Sequence, residues 1–551
     1  MRTPMKVAAA VFSSALMLVG ATACSSNPTD GASGGNGSGA VTAITVRGCT
    51  PQHSLLPVNT NEVCGGNVLD ASQAKLIHYN SKDAAPQMDI AESIETTDAI
   101  NWTVKLKQGY KFQDGTEVKA KHFVDAWNWG AYGPHGQVNS YFFEMIEGYA
   151  DEQCGESGDC QKEKPKADTM SGLKVVDDYT FTIKTTSPTS NLVVRLGYTA
   201  FAPQPDAFFA DTTEDKSEFA AKPISAGPYR ITSVTDTEIV LEKFADYSGK
   251  DVGAVDKVTF PIYNDLGAAY NDVVANNLDM TDTIPAGNLV DDLWKSDAPD
   301  RWGTKDTGVF QALSYAPGNV DPGLADVKMR QALSMAVNRD EVTKQVFNGA
   351  RVPATGWVPP MVDGYKANAC GDNCVFDAAK AKQLYDEAGG YPGTLSIWVN
   401  GDGGHDPWAS AVCNQIKNNL GLDCSVQTTP DFATLRDMIM NRELKGLYRA
   451  GWQMDYPSIE NFLTPLYATG ASSNDTDYSS AEFDGLLKEA AAATDNTAAN
   501  KLYQQAELVL GQDMPTMPLW YQQSQYIFSD KIASVDMTPF SRFDFGSVKL
   551  K

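Results

Sequence analysis

Eight cysteines between residues 49 and 424 fall as four near-neighbour couples: Cys49 with Cys64, Cys154 with Cys160, Cys370 with Cys374, and Cys413 with Cys424. Eight thiols allow on the order of 100 connectivities, yet this clustering favours four local bridges over long-range ones. Bridges of that kind need an oxidising compartment outside the cytoplasm. Reduced cysteines buried in a core are the alternative reading.

The start of the chain agrees with export. Arg2 and Lys6 precede an apolar stretch from Val7 to Val19, and the small residues Gly20-Ala21-Thr22-Ala23 lead to Cys24. Residues 1–23 therefore read as a signal peptide whose apolar run is too short for a permanent membrane span. Small residues just before a cysteine resemble the lipobox of bacterial lipoproteins, which makes Cys24 the expected lipidation site. Cleavage by ordinary signal peptidase at the same bond is the alternative. Residues 24–40 are rich in Gly and Ser and read as a flexible tether.

The remaining chain is too long for one ordinary domain: at 551 residues, a body of two or three lobes is expected. Its 42% apolar and 21% charged residues fit a soluble globular protein. A net charge of −25, with no Lys/Arg cluster, argues against nucleic acid as a partner. The five histidines (His53, His78, His122, His135, His405) are scattered, and no H-E-x-x-H or C-x-x-C pair suggests a metal site. No cofactor is expected.

Apolar periodicity sketches the body. Trp102, Val104 and Leu106 alternate with polar residues as in a strand, and Ala120, Phe123, Val124 and Trp127 follow helical spacing. Tyr229–Thr232 and Ile239–Glu242 read as a strand pair, Val255–Tyr263 as another strand, and the segment from there to Leu278 as a helix. Met329, Leu333, Ala336 and Val337 form a helical stripe, after which Asn338 is placed to cap a second helix. Farther on, Leu395–Val399, a helix starting at Asp406-Pro407 and ending near Gly421, and a strand from Ser425 give alternating β-α-β text.

Few strings suggest chemistry. Gly31, Ser33 and Gly35 match G-x-S-x-G, but they lie in the tether with no strand or helix around them, so the match is chance. Gly401-Asp402-Gly403-Gly404-His405 joins a strand to a helix and is either a plain turn or a ligand-contacting loop. The stretch Arg449-Ala450-Gly451-Trp452-Gln453-Met454-Asp455 is more informative. Arg offers a fork for a carboxylate, Asp an acceptor for an ammonium, and glycine admits another backbone for strand-like bonding. A structural Arg–Asp pair is the competing reading.

In these and other motifs the chain resembles the bacterial extracellular solute-binding proteins of family 5, over nearly all of the body from Val41 onward. The motifs are Phe112-Gln113-Asp114-Gly115-Thr116, Gly227-Pro228-Tyr229, Arg330-Gln331-Ala332-Leu333 with Asn338 and Arg339, Ala379 to Gly389, and Gly451-Trp452 with Asp455-Tyr456-Pro457. Ser458 stands where relatives often carry an acidic residue.

The resemblance implies an α/β, two-lobed fold of the periplasmic-binding-protein type (type II, cluster C) with an additional domain. By the same likeness, residues 41–80, 206–303 and 525–551 would form lobe I, 81–205 the additional domain, and 304–524 lobe II. Asp455 would hold a peptide's N-terminal ammonium, Arg449 would meet its C-terminal carboxylate, and the backbones of Gly451 and Gln453 would pair with it. Trp452 would border the ligand, and Tyr141 would face it from the additional domain. The expected function is a monomeric, lipid-anchored receptor outside the cell membrane that delivers short peptides to an ABC permease with its cytoplasmic ATPase, without catalysis. An oligosaccharide, haem or metal complex in the same fold, a secreted hydrolase, and a cell-wall scaffold are the alternatives.

Overall fold

A computed structural model describes residues 42–155, 158–213, 215–250, 252–493 and 495–551. The signal peptide 1–23, the tether 24–40 and Cys24 lie outside the described residues.

Among the described residues, two four-stranded sheets occupy the first half of the chain. One runs in the order Ala43–Thr45, Lys257–Pro261, Glu238–Lys243, Tyr229–Val234; its first pair is parallel and the others antiparallel. Gly227 introduces this hairpin because its backbone lies against Ser72, where an added Cβ would sit 2.3 Å from the carbonyl oxygen. The other sheet is antiparallel: Ala91–Thr96, Asn101–Leu106, Thr180–Lys184, Leu173–Asp177. Trp102, Val104 and Leu106 turn inward and Lys105 outward, as alternation requires. Helix Ala120–Ala131 lays Phe123 and Trp127 on this sheet, and Trp127 meets Phe181 and Phe201 edge-on at 5.6 and 5.3 Å between centroids. The helix expected to run to Leu278 is shorter, Leu266–Val274.

The second half is built on a seven-stranded mixed sheet, ordered Met280–Thr281, Thr516–Phe528, Trp302–Tyr315, Leu447–Gln453, Leu395–Asn400, Cys424–Thr429, with Arg351–Pro353 paired to Thr516–Phe528. Leu395–Asn400 and Cys424–Thr429 are parallel, joined by helix Asp406–Leu420. A bridge from Cys413 to Cys424 ties that helix to the strand, and the other three sulfur pairs are Cys49–Cys64, Cys154–Cys160 and Cys370–Cys374.

The Arg330 to Arg339 motif is structural. Asn338 caps helix Arg339–Phe347 through the Glu341 N–H at 3.1 Å. Buried Arg339 donates to the carbonyls of Ser334, Val337, Cys374 and Pro518. Arg330 likewise donates to the carbonyls of Leu324, Ala325, Asp513 and Met514. Two guanidinium groups thus fasten the helices to the sheet by satisfying carbonyls that helix ends and loops leave open.

Strands Trp302–Tyr315 and Thr516–Phe528 cross both junctions expected between lobes I and II. Their pairing is continuous from Trp302 to Asp306 and resumes at Phe310, with a register shift between. At this break the Gly308 N–H donates to Pro539 O, and Gly308 O accepts from Met454 N–H at 2.8 Å. The irregular point of the two joining strands therefore lies directly beside Met454 and Asp455.

Candidate functional site

Strand Leu447–Gln453 pairs along its whole length with Val309–Tyr315. On its other side only Leu447 and Tyr448 have strand partners, Ile397 and Trp398. The neighbouring strand ends at Asn400, where the chain turns through Gly401–Gly403. From Arg449 to Gln453 that edge lacks a strand partner among the described residues. Because the Met454 N–H bonds toward Gly308, antiparallel alternation turns the backbone groups of Gln453, Gly451 and Arg449 away from their partner strand and toward the open edge. An extended ligand can add there as a further strand.

Asp455 lies just past this edge at one end. Its backbone N–H donates to Asn461 Oδ1 at 2.8 Å, and its carboxylate accepts from Asn461 Nδ2 at 2.9 Å. Tyr198 lies near enough to favour the charged carboxylate. Arg542, a nearby cation, pairs instead with Asp70 at 3.2 Å. Burial pushes the Asp455 carboxyl up to about 7, opposed by the Asn461 bond and the Arg542 charge. The hydroxyls of Tyr79, Tyr141 and Tyr198 are raised far above the ordinary tyrosine range, first by burial and then by the Asp455 charge. A buried carboxylate whose charge is felt by three phenols that stay neutral is suited to receive a cation.

Arg449 marks the other end. Its guanidinium lies 5.3 Å from the Phe432 ring centroid and 3.5 Å from where a Gly451 Cβ would project, so the two positions share a face. His405 lies near it, and burial together with the Arg449 charge pushes its imidazole down to about 3. The Gly401–His405 loop therefore borders the Arg449 end, and a neutral imidazole leaves Arg449 as the cation there. Asp455 and Arg449 do not pair with each other; along an extended backbone they stand roughly 20 Å apart at most.

Two sequence candidates sit differently from the rest. Trp452 is on the opposite face from Gly451, packed with Ala450 in an apolar cluster, and its Nε1 donates to Asn461 Oδ1 at 3.1 Å. It braces the residue that holds Asp455. The Gln453 side chain donates to Phe540 O at 2.8 Å. Tyr79, Tyr198, Asn461 and Arg542 were absent from the sequence reading. Asn461 alone had a local signal, six residues beyond Asp455 on the same segment.

Among the described residues no group of three or more His, Cys, Asp or Glu is placed to hold a metal ion, and no helix is long and apolar enough to cross a membrane.

A two-lobed α/β fold, with a strand edge that lacks a strand partner among the described residues and is flanked by Asp455 and Arg449, defines the class of two-lobed α/β solute-binding proteins. The model of the bacterial extracellular solute-binding proteins, family 5, matches residues 85–474, and the chain belongs to that family. Such proteins bind and do not catalyse. The chain is 24% identical over 524 residues to the oligopeptide-binding protein OppA of Bacillus subtilis, covering 92% of this chain and 93% of the relative. It is 26% identical over 457 residues to the periplasmic oligopeptide-binding protein OppA of Escherichia coli, covering 80% of each. In fold it is similar to Burkholderia pseudomallei OppA, at 22% identity and a TM-score of 0.79 over 93% of this chain and 99% of that one. Haemophilus influenzae OppA in complex with RPPGFSPFR superposes with a TM-score of 0.76 at 22% identity, over 93% and 99%.

Proposed function

We propose that this protein captures short peptides outside the cell, anchored through Cys24, and passes them to the permease of an ABC importer. The observation that carries the reading is the open backbone edge from Arg449 to Gln453, bounded by Asp455 at one end and Arg449 at the other. Asp455 holds the N-terminal ammonium against Tyr79, Tyr141 and Tyr198. Gly451 and Gln453 bond the ligand main chain, and Arg449 takes the C-terminal carboxylate of a peptide short enough to end there. Main-chain bonds and end charges are common to all peptides, so recognition depends on length more than on sequence. The two oligopeptide-binding relatives agree with this reading. Native mass spectrometry of freshly purified protein tests it: co-purifying masses should be those of short peptides, and a sugar or tetrapyrrole mass would sink it.

Arg449→Ala should weaken peptides whose carboxylate reaches residue 449 by about 1.5 kcal/mol, roughly tenfold, through loss of a charged hydrogen bond. Longer peptides, ending elsewhere, should bind as before. Calorimetry with a tri- to octapeptide series reads this directly, and an equal loss at every length would remove the assigned role.

A further inference from the structure

Glu460 opens helix Glu460–Tyr467, directly before the asparagine that holds Asp455. Its side chain is 3% exposed, with Oε1 2.8 Å from the Arg195 guanidinium. Oε2 accepts from Asn191 Nδ2 at 3.0 Å and from Tyr456 OH at 2.6 Å. Arg195 Nε donates to Asn191 Oδ1 at 3.2 Å, and its guanidinium lies 5.5 Å from the Tyr456 ring centroid. Glu144 and Tyr503 also face this pair. Arg195, Asn191 and Glu144 come from the segment 81–205, whereas Glu460, Tyr456 and Tyr503 come from 304–524. The buried ion pair therefore crosses the seam between the expected additional domain and lobe II. A pocket of about 490 Å³ opens at the same seam, lined by Asn191 and Val194 on one side and Val362, Pro457 and Ser458 on the other.

We propose that Glu460 is a positioning residue for ligand capture: with Arg195 it forms a latch made only when the lobes close, and it fixes the 455–461 segment against the additional domain. The inference rests on the peptide-capture reading above. In an opened protein both charges are hydrated, and closure exchanges that water for the three donors now on Glu460. An ion pair enclosed with all its hydrogen bonds is close to neutral in free energy, but removing one member strands the other in a dry site. The latch thus discriminates against closure whenever the seam is misaligned, and its loss acts on the closed state alone. Glu460 stands two residues after Ser458, at the helix start, and reaches across the seam to Arg195 and Asn191.

The test uses the full chain with tri-alanine as probe, reading release by stopped-flow tryptophan fluorescence. Glu460→Gln should speed release roughly tenfold or more, leave association nearly unchanged and leave the ligand-free Tm unchanged. The charge swap Arg195→Glu with Glu460→Arg should recover most of the loss, which a residue needed only for folding would not show. Unchanged release in Glu460→Gln, a ligand-free Tm falling in step with affinity, or failure of the swap to rescue would each overturn the latch. If the wild-type protein binds no tri-alanine, the peptide reading is what has failed. The latch is then read by the same release experiment with the molecule that native mass spectrometry identifies as co-purifying: faster release in Glu460→Gln than in wild type supports it, and equal release overturns it.

Discussion

Asp455→Ala is expected to weaken tri-alanine binding by roughly 2–5 kcal/mol, the cost of leaving a desolvated ammonium without its counter-charge. The carboxylate is held at its acid and backbone by Asn461, which is braced by Trp452, so it needs little reorganisation when the ligand arrives. Neighbouring groups cannot replace it, because Glu460 is engaged by Arg195, Asn191 and Tyr456. Asp455→Asn keeps the side chain's shape and should lose nearly as much affinity for a free N-terminus. N-acetyl tri-alanine, which lacks the ammonium, should bind the wild-type protein poorly and discriminate little between wild type and variant. Equal calorimetric affinity of wild type and Asp455→Ala for the free tripeptide would remove the ammonium site.

The same residue should trade stability for binding. Its folded pKa of about 7 lies above the ordinary 3.8, so between those values the native carboxyl keeps a proton that the unfolded chain has released. Stability from this group is therefore lost as pH rises through that window and is lowest above it. Asp455→Asn should accordingly raise the ligand-free Tm at pH 8 and leave it nearly unchanged at pH 4, measured by calorimetry.

This segment shows how far local sequence carries an argument about function. Arg449, Gly451, Gln453 and Asp455 lie at every second position, and a period of two puts them along one side of an extended chain whatever the surrounding fold. The same rule assigns Trp452 to the opposite face, although its aromatic character suggests a pocket wall; in the structure it packs in the apolar cluster. The helix cap at Asn338 was equally legible, since a cap acts within three residues. The open edge was not. It depends on the pairing with strand Leu395–Asn400 ending at Trp398 and Tyr448, and the Gly401–Gly404 break marks the nearby end of that strand without saying which strand lies next to it. Tyr79, Tyr141 and Tyr198 reach Asp455 from segments far away in the chain, and only Tyr141 carried a resemblance that singled it out. Arg195 and Glu460 left no trace in either local pattern.

Peptide affinity should pass through a narrow optimum near neutral pH. Binding an ammonium requires Asp455 in its charged form, and burial sets that ionisation near 7 in the empty groove. Well below that value each pH unit removes about 1.36 kcal/mol, so affinity should fall roughly tenfold per unit, and about fiftyfold between pH 7 and pH 5. Above about pH 8 the peptide amine itself loses its proton, which sets the alkaline limb. The three phenols and His405 do not produce these limbs. Tyr79, Tyr141 and Tyr198 titrate well above this range and His405 below it, so the phenols stay neutral and Arg449 keeps a neutral neighbour throughout. Binding near pH 6 should therefore release close to one proton, detectable as a dependence of the calorimetric enthalpy on buffer ionisation heat. In Asp455→Asn the acid limb and the proton release should both vanish. An acid limb that survives the substitution would assign the titration to another group and separate Asp455 from the ligand's charge.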